Sequence, residues 1–182
     1  KGDSRVDDAH LRMKAKHMAR QYQALFGGLA REFQITLVAG SIVLPEPRVE
    51  DGELKIGRGP LYNTSLVFGR DGVPLGQPQR QLSPSVEERS YIQADPEQAL
   101  GVVDTPAGRV GVLIGNDSWY PDNYRKLNAQ GATLIAVPAF VSGRTTWDKP
   151  WRGYQGPSTP SEISLKPGEL SEGQAWHRLT LT

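Results

Sequence analysis

The chain has 182 residues, of which 37% are hydrophobic and 20 are glycine. At roughly 150 residues per domain this is the length of one domain with apolar matter for a core, which excludes a disordered tail as the reading of the whole. Lys and Arg number 21 against 20 Asp and Glu, a net charge of +1, so there is no electrostatic footprint for nucleic acid or an anionic membrane. No apolar run approaches the roughly 18–20 residues of a membrane span. The cysteine count is zero, which excludes a disulfide framework, a Cys-ligated zinc, an iron–sulfur cluster and a cysteine nucleophile. His10, His17 and His177 are the three histidines, too few for a His-rich catalytic metal site. No metal and no cofactor are expected. Lys1-Gly2-Asp3-Ser4-Arg5 has neither an initiator Met nor an apolar signal region. It reads as the start of a fragment, and a cytoplasmic location is the expectation.

In chain order, the first strong signal is helical. Leu11, Ala15, Met18, Tyr22, Leu25, Leu29 and Phe33 follow steps of four and three, which predicts one helix over 8–33 packed through that face. Asp7 or Asp8 can cap its start. Ile35 to Val43 is short, β-branched and apolar, and reads as a buried strand. Residues 45–60 read as a loop. Asn63 to Phe68 reads as a strand, with Arg70-Asp71-Gly72 turning it into Val73–Gly76. The polar stretch 77–98 is long for a connection, and such loops are often functional.

Leu100–Asp104 and Arg109–Ile114 are predicted strands joined by Thr105-Pro106-Ala107-Gly108. Pro121 then starts a helix to about Gln130, Gly131 ends it, and Thr133–Val137 is the next strand. A strand–helix–strand unit of this length implies a parallel crossover. Residues 142–168 look loop-like, with Trp147, Trp151 and Tyr154 serving as a lid, as a subunit contact or as anchors to the core. A last helix is expected from near Glu169, carrying Trp176. Hairpins together with a βαβ unit point to an α/β domain with a mixed sheet.

Chemistry is expected at the corner Ile114-Gly115-Asn116-Asp117, because ligands of open α/β folds bind beyond the carboxyl ends of strands. Backbone N–H groups at such a corner can face a developing anion. A nucleophile there would sit on a sharp turn, yet the residue in that place is Gly115, whose bland role is to permit the turn. Trp119 and Tyr120 either line a pocket or pack under the next helical turn. Glu87-Glu88-Arg89 reads either as a substrate-facing acid or as a solvated charged run.

These segments resemble the nitrilase, or carbon–nitrogen hydrolase, superfamily. Val110 to Pro121, Tyr124-Arg125-Lys126-Leu127 and Gly131 to Ile135 are similar to its nucleophile segment. Leu37-Val38-Ala39-Gly40-Ser41 resembles a second segment, Leu61 to Ser65 with Gly72 a third, and Gln81-Leu82-Ser83-Pro84-Ser85 its lysine loop. The match runs over most of residues 15–140. The resemblance implies a two-layer sandwich that pairs with a second copy as α-β-β-α, hence a homodimer or larger homo-oligomer. It implies a ligand that is a small amide, nitrile or carboxylate, with no nucleic acid or membrane partner.

The family's Glu-Lys-Cys triad is not reproduced. Gly115 stands at the Cys position, and counting back from Leu82 puts Gln79 at the Lys position with Arg80 one step away. The glutamate base would precede Lys1. A second family glutamate corresponds to Glu87 or Glu88, Asn116 would present the oxyanion N–H, and Asp117 matches the family's Asp by spacing. Without a thiolate no thioester forms, so the chain as given is expected to be inactive by this route. The expected domain is one unit over 1–182 that lacks its first strand and its C-terminal part. Three readings stay open: a degenerate binding protein, a fragment or altered form of a genuine amidase or nitrilase, and a non-catalytic assembly module.

Overall fold

The computed structural model describes residues 4–86, 88–95, 98–139, 147–154 and 165–180. It opens with helix α1 (Ser4–Phe33), as the periodicity predicts, but the helix is rotated from the expected face. Leu25 and Phe33 are 57% and 62% exposed. The buried stripe is Ala15, Ala19, Tyr22 and Ala30, with Met18 and Phe26 half-buried beside it. Alanines let the helix lie close on the strands below, and the ring of Tyr22 packs edge-on against Phe26 at 4.9 Å. The expected face thus meets the strands at Ala15, Met18 and Tyr22 but not at Leu25 and Phe33, where Ala19 and Ala30 take the contact.

Below α1 lie β1 (Leu37–Val38) and β2 (Ile42–Pro45), which correspond to the single strand expected over 35–43. They pair antiparallel with β6 (Val67–Phe68) and β5 (Leu61–Ser65). The register moves by one residue between the two ladders, Val38 facing Val67 while Ile42 faces Thr64. Three residues of one strand therefore oppose two of the other, a β-bulge. The bulge is stapled: Ser65 Oγ donates to Ala39 O at 2.8 Å and Tyr22 OH to Gly40 O at 2.7 Å. Burial holds the Tyr22 phenol well above its usual range.

The 45–60 stretch is not only a loop. It contains a hairpin of β3 (Arg48–Glu50) and β4 (Glu53–Lys55), turned by Asp51 and Gly52 at φ 52° and 75°. Two positive φ values in a two-residue turn make the strand-matched hairpin geometry. Each strand places one apolar residue, Val49 and Leu54, on the core side between charged neighbours, a pattern too short to stand out among the surrounding Pro, Gly and charge. The expected hairpin after Phe68 is present, with Gly72 at φ 80° and Leu75 N–H on Val67 O at 2.8 Å.

A short strand β7 (Gln79–Arg80) joins the far edge of β5, followed by a 3₁₀ turn at Glu88–Ser90. Then come β8 (Val102–Thr105) and β9 (Gly108–Val112), antiparallel. A second 3₁₀ helix, Gly115–Trp119, leads to α2 (Pro121–Ala129) with Pro at its first turn. β10 (Leu134–Ala136) returns parallel to β9, giving the predicted mixed sheet in an α/β fold. Val67, Val112 and Ile114 pack together and join the β1–β6 pair to the sheet of β8, β9 and β10. Helix α3 (Glu172–Thr180) closes the described chain. Trp151 is buried with Ala175 and Leu179, so it anchors its segment to the core. Most of the expected loop 142–168 lies outside the described residues. No described helix is long and apolar enough to cross a membrane.

Two adjacent glycines of α1 give opposed expectations. A Cβ on Gly27 would lie 2.6 Å from Gly72 O, whereas one on Gly28 meets nothing within 4 Å. Gly27→Ala should therefore destabilise by about 1–3 kcal/mol through backbone overpacking. Gly28→Ala should stabilise by roughly 0.5–1 kcal/mol through helix propensity. Urea unfolding of the two variants measures both signs.

Candidate functional site

The site forms where β9 ends. Ile114 is still extended, at φ −91° and ψ 118°, and Gly115 then turns at φ +49°. That left-handed conformation costs an L-residue about 1–2 kcal/mol and glycine nothing comparable. The corner is held from both sides. Gly115 N–H donates to Pro138 O at 3.0 Å, and Ser118 Oγ donates to Gly115 O at 2.7 Å. Asn116 Nδ2 donates to Ser83 O at 2.8 Å, which ties the corner to the loop after β7.

Asp117 makes the stronger tie. Its two carboxyl oxygens accept the Leu82 N–H at 2.9 Å and the Ser83 N–H at 2.7 Å, and the residue is 0% exposed. Burial pushes its carboxyl up to about 7, against the opposing pull of the backbone N–H groups, with a smaller upward contribution from Glu88. Asp117 thus works beneath the site as a clamp, and its side chain does not line the crevice.

A crevice of about 800 Å³ opens at Gly115. Gln81, Asn63 and Glu88 line one side, and Trp119, Trp147 and Trp176 another. Gln81 is 1% exposed. Its Oε1 accepts from Asn63 Nδ2 at 2.9 Å, which fixes the amide orientation. The Nε2 group consequently faces the corner, 3.6 Å from where a Cβ on Gly115 would sit. Nothing among the described residues accepts a hydrogen bond from it.

The residues expected here are only partly together. Gly115, Asn116, Trp119 and Glu88 line the crevice; Asp117 and Tyr120 do not. Tyr120 is buried and its ring packs on Tyr154 at 5.1 Å. Glu87 lies outside the described residues. Gln79 does not reach the corner either: its amide bonds Gln98 Oε1 at 3.2 Å. Arg80 pairs with Asp95 at 2.9 Å and lies over the Tyr62 ring at 4.2 Å.

The side chain of this loop that faces Gly115 is Gln81. The reason is register. Gln79 sits opposite Ser65, whereas Gln81 N–H bonds Asn63 O at 2.8 Å, two residues and roughly 6–7 Å nearer the crevice end of β5. Glu88 is set by a reciprocal pair, its Oε2 accepting Ser85 N–H at 2.7 Å while Ser85 Oγ accepts Glu88 N–H at 3.3 Å. Ser-x-x-Glu is a capping-box spacing, a signal legible in sequence but not used there. Among the described residues no cluster of His, Cys, Asp and Glu could hold a metal.

The family model described as Carbon-nitrogen hydrolase matches residues 6–179. Deaminated glutathione amidase of Yersinia enterocolitica is 41% identical over 64 residues, 32% of this chain and 22% of that protein. A carbon–nitrogen hydrolase structure from Helicobacter pylori G27 superposes with a TM-score of 0.60 at 24% identity, covering 74% of this chain and 42% of that one. The cysteine-to-alanine mutant of an amidase from Nesterenkonia sp. AN1, in complex with butyramide, gives 0.57 at 23% identity over 72% of this chain and 46% of that one. The chain thus spans under a quarter of that curated relative and under half of these two structures.

Asp117 makes stability depend on pH in a defined direction. Its folded carboxyl titrates near 7, above its ordinary 3.8, so the folded state binds the proton more tightly. Its contribution is fully present in acid and is lost as pH rises through about 7, on the order of 2–4 kcal/mol. Asp117→Asn should flatten that part of the profile. The measurement is urea unfolding at pH 5 and pH 8 for both proteins, the difference between the two slopes being the readout.

Proposed function

The chain belongs to the carbon–nitrogen hydrolase family, and we propose that its crevice binds a small carboxamide without cleaving it by the family's covalent route. The observation that carries this is the pairing of Gly115 with Gln81. Where a nucleophile would project there is no side chain, and the group facing that space is a neutral amide N–H₂. That N–H₂ has no acceptor among the described residues and opens onto the crevice, so a carbonyl oxygen entering there can take its hydrogen bond in place of water. A ligand carbonyl oxygen supplies the missing acceptor, and the Asn116 end of the corner provides a second polar edge. The butyramide held by the cysteine-to-alanine amidase mutant supports the idea that a pocket of this kind retains an amide without its thiol.

The family's covalent route has no nucleophile among the residues present. The chain contains no cysteine, so no thioester can form. Gln81 carries no charge with which to depress the pKa of a thiol installed at 115 or to stabilise an oxyanion as a cation would.

Calorimetric titration with butyramide should show binding, and Gln81→Ala should weaken it roughly five- to tenfold, the worth of one buried hydrogen bond. No ammonia should be released from butyramide at neutral pH. Gly115→Cys should become labelled by a thiol reagent while remaining without turnover. Steady ammonia release by the cysteine-free chain would sink the reading.

A further inference from the structure

We infer that the amide bound in this crevice carries a cationic tail, its carboxamide end at Gln81 and its ammonium end against Glu172, Trp147 and Trp176. The inference rests on the reading that the crevice takes a carboxamide, and it adds the class of amide. The first observation is charge. The described lining contains two carboxylates, Glu88 and Glu172, and no Lys, Arg or His. Glu88 already accepts the Ser85 N–H within its own turn.

Glu172 is held more loosely. Among the described residues its carboxylate accepts one hydrogen bond, from the Arg152 N–H at 3.3 Å. Burial raises its carboxyl above the usual range, and the Arg152 N–H and charge only partly oppose this. The Arg152 side chain is exposed, and no salt bridge reaches Glu172 among the described residues. A half-buried carboxylate whose nearest cation stands off in solvent is only partly compensated, and a ligand cation would complete the pairing.

The second observation is the wall beside that carboxylate. Trp147 and Trp176 meet edge to face with centroids 5.8 Å apart, and both line the crevice with Glu172. The contact depends on the residue after Glu172: a Cβ on Gly173 would lie 3.1 Å from the Trp147 ring. The missing side chain lets one indole settle on the first turn of α3, next to the carboxylate. Indole faces attract ammonium groups, so the carboxylate and the rings select the same kind of ligand. A neutral tail gains only apolar contact there, and an anionic tail is repelled by both glutamates.

The test compares three probes that share one carboxamide end. Butyramide, γ-aminobutyramide and succinamic acid are titrated at low ionic strength, followed by calorimetry and tryptophan fluorescence. γ-Aminobutyramide should bind about tenfold tighter than butyramide, and succinamic acid should bind most weakly. Glu172→Gln should abolish the preference for the amine, the ratio of the butyramide and γ-aminobutyramide Kd values falling from about ten to about one. If butyramide binds and the amine binds no tighter, the inference falls and the amide reading stands. If none of the probes binds, the amide reading falls and the inference with it. A Glu172→Gln protein that loses affinity for both amides equally would make Glu172 a packing residue and overturn the inference. The comparison of the three probes on the unaltered chain remains decisive should that variant fail to fold.

Discussion

One buried carboxylate fixes the relation between the two halves of the site. Asp117 belongs to the 3₁₀ helix that ends β9, while the N–H groups it accepts belong to Leu82 and Ser83, in the loop that follows β7. Those strands lie in different sheets, so a single side chain sets how the loop sits against the corner. Gln81 immediately precedes the clamped pair, which places its amide beside Gly115. Asn116 repeats the tie from the neighbouring position through Ser83 O. Apolar packing of Val67 in β6 on Val112 and Ile114 holds the β1–β6 pair against the end of β9, but such packing is non-directional. The hydrogen-bonded carboxyl supplies the angular precision that a site needs.

The same economy appears under α1. The helix can approach the bulged strands only where its side chains are small, and Tyr22 then reaches through to bond Gly40 O on one side while accepting the Leu66 N–H on the other. The bulge adds one residue to the strand leading into β2, and Ser41 emerges on the crevice wall as a result. An irregularity in pairing thus re-aims a polar side chain, which is the usual consequence of a bulge. The phenol is deeply buried, yet both its donor and acceptor capacities are used, so the burial is tolerated.

Much of this was legible in the sequence, for identifiable reasons. The helix over the first thirty residues, the Gly72 turn and the β9–α2–β10 unit rest on local signals: periodicity, turn chemistry and a Pro-to-Gly helix frame. The corner at Gly115 was also legible, because a strand must end before a helix begins. What failed were features that depend on partners distant in sequence. The buried face of α1 is decided by how closely the strands approach, which favours alanine over leucine. The β3–β4 hairpin has one apolar residue per strand, Val49 and Leu54, so its alternation is too short to read alone, although Asp51-Gly52 marks its turn. The position facing Gly115 was counted from Leu82 along the chain, whereas the cross-strand partner Asn63 decides it. A register of two residues separates Gln79 from Gln81, and no local pattern carries that information.

Gly115 fits its corner on grounds independent of chemistry. The backbone there must turn at φ +49° to pass from an extended strand into the 3₁₀ helix, with its N–H and C=O both held. Any L-residue in that conformation carries strain, which persists at functional sites only where the surroundings over-determine the geometry. The surroundings here do so: Pro138 O, Ser118 Oγ and the Asp117 clamp fix the turn whatever side chain it bears. Glycine relieves the strain and leaves the frame in place. The corner's shape and its crevice are therefore set by the neighbours that hold the turn, and glycine at its apex adds neither strain nor a side-chain atom.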